Sequence, residues 1–433
     1  VEKMMEARCR DGGKVGVLTT SSRIEDLDNR FAQGKLGGDA WREKTLVVRS
    51  VSRHELMKTN RIDKWGELVP IEAKDTNETT KAKSKEKRAK LQERVDSREK
   101  RREKKWTAMV QDWGLFCTKH SKLVKTRIRK GIPDSMRSLV WPHLCGAAIA
   151  RMKRPAYYTE LLQQTISQAD DTQIRKDLPR ENQNHIDFLS PEAGSRTVFS
   201  PKQAALYRVL KAYSIAHKDV GYVQGMSSVA GLCLLYLGEE ESFWVLETLL
   251  TGFHKREGLA GLYRPAMPLA REFLFVFESI LASVCPKLAR HLQSLHILPT
   301  QYAFRWLTTR FDTFPKGLRV RVFEIFLDQG MKIVYQVAVA LLEKHRKQLL
   351  SMDCEEASDF LRQLHAHPEC KDEDNIIKRA LLVPVHSKDI RKMSETYRKE
   401  NPDQVGGDGG VGSTSKPSVV PGGSSGQKHA PPR

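Results

Sequence analysis

Between residues 174 and 226 the chain runs from Ile174-Arg175-Lys176-Asp177-Leu178-Pro179-Arg180 to Gly221-Tyr222-Val223-Gln224-Gly225-Met226. A run with helical periodicity, Gln203–Ala216, lies between these two motifs. Each motif places one polar side chain, Arg180 or Gln224, in a short loop beside a helix. Neither side chain titrates near neutral pH, but both form fixed hydrogen bonds to phosphate oxygens or to water. The stretch therefore predicts a pair of groups that bind or stabilise charge, rather than a general acid and base.

Helical periodicity continues on both sides of this stretch. Upstream, apolar residues recur at helical spacing at Trp106, Met109, Val110, Trp113 and Phe116. Downstream, residues 226–237 are apolar on every side, which is typical of a buried helix. Further apolar runs with helical periods follow, punctuated by prolines at 265, 268, 286, 299 and 315. Alternating strand patterns with hairpin turns are lacking, so the sequence predicts an all-α fold from about residue 105 to 370.

Composition limits the class of protein. The 433 residues are 39% hydrophobic and 29% charged, which fits one large or two ordinary domains with a real core. The longest apolar run, about 12 residues, is shorter than the ~18 that a membrane span needs. Seven cysteines are scattered without a Cys-x-x-Cys pair or a close Cys/His cluster. This pattern predicts free thiols and neither a disulfide framework nor a metal site.

Positive charge is concentrated in one segment, Lys81–Lys130. The chain has a net charge of +20, and this segment holds 19 basic and 6 acidic residues. Residues 81–105 are almost all helix formers without Pro or Gly, which predicts a solvated charged helix or linker. Attraction to an anionic membrane surface is the second interpretation. Nucleic-acid binding is the least favoured, because no aromatic stacking residues are interleaved with the charges of residues 81–105.

The two ends of the chain differ in composition from the part between them. Residues 1–80 are mixed and polar, with apolar runs too short to form a core, and we expect them to be disordered or weakly ordered. Residues 385–433, of which 406–433 are rich in Gly, Ser and Pro, are expected to form a disordered tail.

Three motifs follow one another along the chain: Arg137-x-x-x-Trp141 behind Gly131-Ile132-Pro133, Ile174-x-x-Asp177-x-x-Arg180, and Tyr222-x-Gln224. Together they resemble the TBC domain, the all-helical module of Rab GTPase-activating proteins. Any one of them is a weak signal, but all three occur in the family's order within about 90 residues. The resemblance covers about 125–370, within an expected TBC domain at 106–384.

This resemblance implies a mechanism with two fingers supplied to a Rab-type small GTPase. Arg180 matches the arginine finger and Gln224 matches the glutamine that replaces the GTPase's own. Asp177 would orient Arg180 and Tyr222 would position the Gln224 turn, while Ile174, Arg137 and Trp141 are expected to be supporting residues. GTP and Mg²⁺ would come with the partner, since the chain has no phosphate-binding Gly-x-x-x-x-Gly-Lys-Ser/Thr loop. The resemblance thus implies a regulator of vesicle trafficking without an active site of its own, cytoplasmic or peripheral on endomembranes.

The sequence departs from the family directly after Arg180. The family usually continues Arg-Thr-Phe-Pro, whereas Glu181-Asn182-Gln183 stands here. The Glu181 carboxylate could pair with the Arg180 guanidinium or repel a phosphate. Arg196, in an Arg-Thr pair without the Ile-x-x-Asp lead, is the weaker alternative for the finger. Two hypotheses therefore stay open: a Rab GTPase activator, and a weak or inactive TBC-fold scaffold that binds a Rab.

Overall fold

Helices form most of the chain in a computed structural model, which describes residues 60–70, 93, 97–189, 199–253 and 256–402. The all-α prediction is confirmed. The helices are α1 (97–111), α2 (Trp113–Lys119), α3 (Ser121–Lys130), α4 (Asp134–Cys145), α5 (Ala147–Lys153), α6 (Tyr157–Gln163), α7 (Gln168–Asp177), α8 (Pro201–Ala216), α9 (Met226–Leu234), α10 (Glu239–Thr251), α11 (Pro268–Val284), α12 (Pro286–Ser294), α13 (Pro299–Thr309), α14 (Lys316–Gln329), α15 (Met331–Lys344), α16 (Arg346–Leu349), α17 (Cys354–Gln363), α18 (Glu373–Leu382) and α19 (Ser387–Glu400).

Shorter elements connect these helices. Single turns of 3-10 helix are Leu178–Arg180, Ile186–Phe188, Ala260–Leu262, Leu364–Ala366 and Pro368–Lys371. In the described part of the chain, the strands form two antiparallel pairs: β1 (Asn60–Ile62) with β2 (Leu68–Pro70), and β3 (Gly252–Phe253) with β4 (Arg256–Glu257). None of the described helices combines the length and apolar character needed to span a bilayer.

Local sequence explains several helix starts. The punctuating prolines Pro268, Pro286 and Pro299 each begin a helix, where the missing N–H is not needed and the fixed φ suits the first turn. Helix α8 starts with a capping box, in which the Ser200 hydroxyl accepts from the Gln203 N–H and the Gln203 amide accepts from the Ser200 N–H. The N-terminal prolines and the capping hydrogen bonds determine where these helices begin, and therefore where the loops before them end.

The core is built around helices that are buried on every side. All nine residues of α9 are buried, as the apolar run predicted. Trp141 on α4 is fully buried, and its ring packs edge-on against Tyr236 at 5.1 Å and Phe323 at 5.0 Å between centroids. These contacts join α4 to the segment after α9 and to α14. Helix α9, which begins two residues after Gln224, is thus held from several directions.

Arg137, one turn before Trp141, is buried in an ion-pair network. Its Nε donates to Glu324 Oε1 at 2.8 Å, and its guanidinium lies over the Tyr236 ring at 4.7 Å. Glu324 also accepts from Arg321 Nη1 at 3.0 Å and from the Ile132 N–H at 3.2 Å. One carboxylate therefore joins α4, α14 and the Gly-Ile-Pro turn, and Arg137 is a structural residue of the core.

Ordered structure lies next to the domain both in residues 1–80, expected to be disordered or weakly ordered, and in the expected disordered tail 385–433. Within 1–80, residues 60–70 form the β1–β2 hairpin, whose Gly66 oxygen accepts from the Ile186 N–H at 3.1 Å. The expected tail is wrong at Ser387–Glu400, which form α19; Arg398 of this helix donates to Glu257 and Glu272. Both corrections have one cause: these short polar segments gain stability from long-range contacts that local composition does not reveal. The expectations for 1–59, 71–92 and 403–433 lie outside the described residues.

Candidate functional site

The Arg180 side chain projects into solvent from a backbone turn that is anchored in the core. Helix α7 ends at Asp177, and the turn Leu178–Arg180 follows it directly, with the Leu178 side chain fully buried. The Arg180 side chain is 65% exposed, and its Nη1 donates to Asp177 Oδ1 at 3.3 Å. Asp177 itself is buried. Among the described contacts, the one with Asp177 orients the guanidinium, and most of the side chain is exposed to a partner.

Gln224 is also exposed between buried neighbours. Tyr222 and Met226 on either side of it are buried, while the Gln224 side chain faces solvent at the start of α9. Gly225 has φ +100°, a backbone conformation that residues with a Cβ rarely adopt. The glycine lets the loop turn into α9 at this point, and so the turn presents the carboxamide at the surface.

Asp177 connects the two loops. The Tyr222 hydroxyl donates to Asp177 Oδ2 at 3.0 Å, while Arg180 uses the other carboxylate oxygen. The Tyr222 N–H donates to Asp170 Oδ1 at 2.9 Å, which adds a second link between α7 and the Gln224 loop. Burial raises the pKa of Tyr222, so its hydroxyl stays protonated as a donor. The sequence-predicted residues Asp177, Arg180, Tyr222 and the Gln224 loop are thus brought together.

Glu181 points into the domain and not toward Arg180. Its Oε1 accepts from the Ser227 hydroxyl of α9 at 2.6 Å. Gly231, one turn further along α9, leaves room for this loop: a Cβ there would lie 2.9 Å from Asn182 Nδ2 and 3.7 Å from Glu181 Oε2. Burial raises the pKa of Glu181, and the nearby Arg319 opposes that shift. Among the described contacts none joins Glu181 to Arg180, so the pairing considered from the sequence is not seen.

Residues of α14 contact the Arg180 loop on the side of the domain core, and no sequence pattern points to them. The Lys316 ammonium lies 3.5 Å from Asn182 Oδ1 and 3.7 Å from Glu67 Oε1 of the hairpin. Burial lowers the pKa of Lys316 to about 8. Arg319 donates to the Ser228 carbonyl of α9 at 2.5 Å. These partners are distant along the chain, and no local pattern predicts such contacts.

The other sequence-predicted residues are too buried to touch a partner. Ile174 and Trp141 have no exposed surface, and Arg137 is 2% exposed. They hold α7 and α4 in the core. The alternative finger, Arg196, lies outside the described residues.

The contacts of Glu181 predict that replacing its carboxylate with a neutral amide does not destabilise the folded protein. Because the pKa of folded Glu181 is raised, folding favours its protonated form; that stabilising contribution is present at acidic pH and is lost as the pH rises through the folded pKa. In Glu181→Gln the amide oxygen still accepts from Ser227 without burying a charge. We expect thermal unfolding at pH 7 at the same or a higher temperature than wild type, with a smaller difference near pH 4.5. A variant less stable than wild type by more than about 1 kcal/mol at pH 7 would show that the ionised carboxylate is needed.

Comparison with known proteins places this arrangement in a family. The model of the Rab-GTPase-TBC domain matches residues 134–350. The human ecotropic viral integration site 5 protein homolog is 32% identical over 305 residues, which are 69% of this chain and 36% of that protein. The Drosophila protein TBC1 domain family member whacked is 31% identical over 56% of this chain and 63% of its own length. The chain thus spans about a third of the first relative and under two thirds of the second.

One solved structure shows the same fold. The crystal structure of the Chlamydomonas flagellar RabGAP TBC domain superposes with a TM-score of 0.52 at 22% sequence identity, and the match covers 74% of this chain and 99% of that domain. The superposition shows the same all-helical fold. The family model matches half of this chain, and the three motifs of the sequence analysis occur in order. The chain belongs to the RabGAP-TBC family.

Proposed function

We propose that this protein is a GTPase-activating protein for a Rab-family small GTPase, supplies Arg180 and Gln224 in trans, and thereby regulates vesicle trafficking. One observation supports the pairing most directly: the Asp177 carboxylate contacts both Arg180 and Tyr222, so two exposed polar groups project from adjoining, hydrogen-bonded loops. Family membership supports the choice of partner.

The chemistry of GTP hydrolysis suits these two residue types. As the bond to the γ-phosphoryl group breaks, negative charge develops on the β–γ bridging oxygen and on the phosphoryl oxygens. The Arg180 guanidinium would stabilise that charge with N–H donors in a fixed plane. The Gln224 carboxamide can accept from and donate to the attacking water. Nucleotide and Mg²⁺ would arrive with the GTPase.

The Arg180–Asp177 contact prepares the finger without trapping it. At 3.3 Å and on a side chain that is 65% exposed, this ion pair contributes little to stability. It restricts the guanidinium before a partner arrives, which lowers the entropy lost on binding. Asp177 keeps its bonds to Tyr222 and to Gln173 when Arg180 moves toward a phosphate. Asp177 thus positions the Arg180 guanidinium but can release it to a phosphate.

Gln224→Ala is expected to slow stimulated hydrolysis by about 10²–10³-fold, the range for losing one positioned transition-state hydrogen-bonding group. The loop should keep its shape, because Tyr222 and Met226 anchor it and the Gln224 side chain is exposed. Gln183→Ala is the matched control: it removes an exposed glutamine near Arg180 whose amide bonds only the Pro179 carbonyl among the described contacts. A Gln224→Ala variant as active as the Gln183→Ala control would remove Gln224 from the mechanism.

The function itself is tested by single-turnover GTP hydrolysis across a panel of Rab proteins. Acceleration of at least one Rab by the wild-type chain supports a GTPase activator. If several Rabs bind but none responds, the chain is the catalytically inactive scaffold. Glu181 does not favour that alternative, because its carboxylate is directed to Ser227.

The basic segment supplies a second proposed contact, with an anionic membrane surface. From residue 97 onward the segment is described, and most of its cations are exposed, among them Lys100, Lys104, Lys122 and Lys125. Trp106, which could have stacked on bases, is buried. The described surface of the segment therefore presents positive charge, while the Trp106 ring is not available to stack on a base. This combination favours binding to anionic lipid over binding to nucleic acid.

A further inference from the structure

Three side chains that can ligate a metal meet beyond the end of α15, and none belongs to the finger site. His345 follows Lys344 directly, His367 separates two 3-10 turns, and Glu369 lies in the second of them. One ligand atom from each lies within 4.8 Å of the other two. His345 Nε2 is 3.6 Å from Glu369 Oε2, and the two imidazole centroids are 4.9 Å apart.

Two nitrogens of this cluster are buried and have no hydrogen-bond partner among the residues that the structure describes. They are His345 Nε2 and His367 Nδ1, and the His345 residue is only 7% exposed. Most buried polar atoms in proteins are hydrogen-bonded, so two buried unpartnered nitrogens on the imidazoles of one cluster require an explanation. An imidazole nitrogen with a free lone pair is the commonest metal ligand in proteins.

We propose that His345, His367 and Glu369 form a binding site for a divalent transition-metal cation of the Zn²⁺ type. Two imidazoles and a carboxylate are a ligand set that Zn²⁺ accepts, with a fourth position left for water. Ligand atoms about 2.1 Å from a tetrahedral ion lie roughly 3.4 Å apart, so the three groups need only a modest approach. Glu369 is exposed and can make most of that movement.

Lys344 competes with the proposed cation. Its Nζ lies 2.5 Å from Glu369 Oε2, the same oxygen that faces His345. A metal ion must either displace this ammonium or use the other carboxylate oxygen. Removal of the lysine charge should therefore strengthen metal binding, an effect that a merely structural histidine pair would not produce.

The cation would fasten α15 to the 364–371 segment. His345 lies at the end of α15, while His367 and Glu369 belong to that segment, and the Phe360 ring of α17 packs at 5.2 Å from His345. A cation that binds only the folded chain stabilises it. At about a hundred times its Kd it lowers the unfolded population roughly a hundredfold.

The test is calorimetric titration of the full, chelator-treated chain with Zn²⁺. We expect one site that is weakened more than about tenfold by His345→Gln, by His367→Gln and by Glu369→Gln, and that is strengthened by Lys344→Met. His365→Gln is the matched control, because His365 is a partly exposed neighbour outside the cluster. Glu369 is exposed, so its variant keeps the test valid if a histidine variant does not fold.

Two results would overturn the proposal. One is wild-type affinity in both Glu369→Gln and the folded histidine variants. The other is an equal loss of affinity in His365→Gln, which would mean that Zn²⁺ binds elsewhere on the chain. Co²⁺ provides a further readout, because tetrahedral coordination gives an intense visible absorption that should disappear in the His367→Gln variant.

Discussion

Arg180→Ala is expected to abolish nearly all stimulated GTP hydrolysis, with a loss of about 10³–10⁵-fold in the single-turnover rate. That loss corresponds to roughly 4–7 kcal/mol of transition-state stabilisation. The physical reason is that no other described side chain of these two loops offers an exposed guanidinium held by Asp177. Affinity for the GTP-loaded Rab should change far less, because the finger acts mainly on charge that develops during the reaction.

Two further variants make this result specific. Arg180→Lys keeps the charge but loses the planar pair of donors, and it should recover only a small part of the rate. Arg175→Ala, at an exposed arginine of α7 that pairs with Asp171 at 2.9 Å, should retain the wild-type rate. If Arg180→Ala stays active while an Arg196 variant does not, the finger lies in the segment outside the described residues.

Glu324→Ala is expected to destabilise the domain by about 3–5 kcal/mol, the usual consequence of removing one partner from a buried ion pair. Glu324 has no exposed surface, and it accepts hydrogen bonds from Arg137, Arg321 and the Ile132 N–H. Its removal leaves two buried guanidinium groups without their shared carboxylate. The free energy of unfolding is measured by chemical denaturation, and an unchanged m-value shows that wild type and variant unfold in the same way.

Glu343→Ala is the matched control for that experiment. Glu343 pairs with Arg379 at 3.0 Å, and both side chains are 41% exposed. Ion pairs at this exposure contribute about 0–1 kcal/mol, so the variant should unfold almost as the wild type does. Equal effects of the two substitutions would contradict the structural role of the Arg137–Glu324 network.

Local patterns in the sequence were enough for the helices and for the two exposed groups of the proposed site. Apolar periodicity and proline positions depend on residues that are close in the chain, and they predicted the all-α fold and the buried helix α9. The motifs around Arg180 and Gln224 are also local. Their loops lie where the sequence placed them, beside α7 and before α9.

Only the tertiary structure decided what the polar side chains contact. Glu181 could have faced Arg180, but it bonds Ser227, 46 positions away, because α9 packs beneath the loop and Gly231 leaves room for it. Arg137 meets Glu324 across 187 positions, and the cluster of His345, His367 and Glu369 unites a helix end with a later turn. Sequence periodicity records which side of a helix is buried, whereas the partner of a buried charge depends on how distant segments pack together.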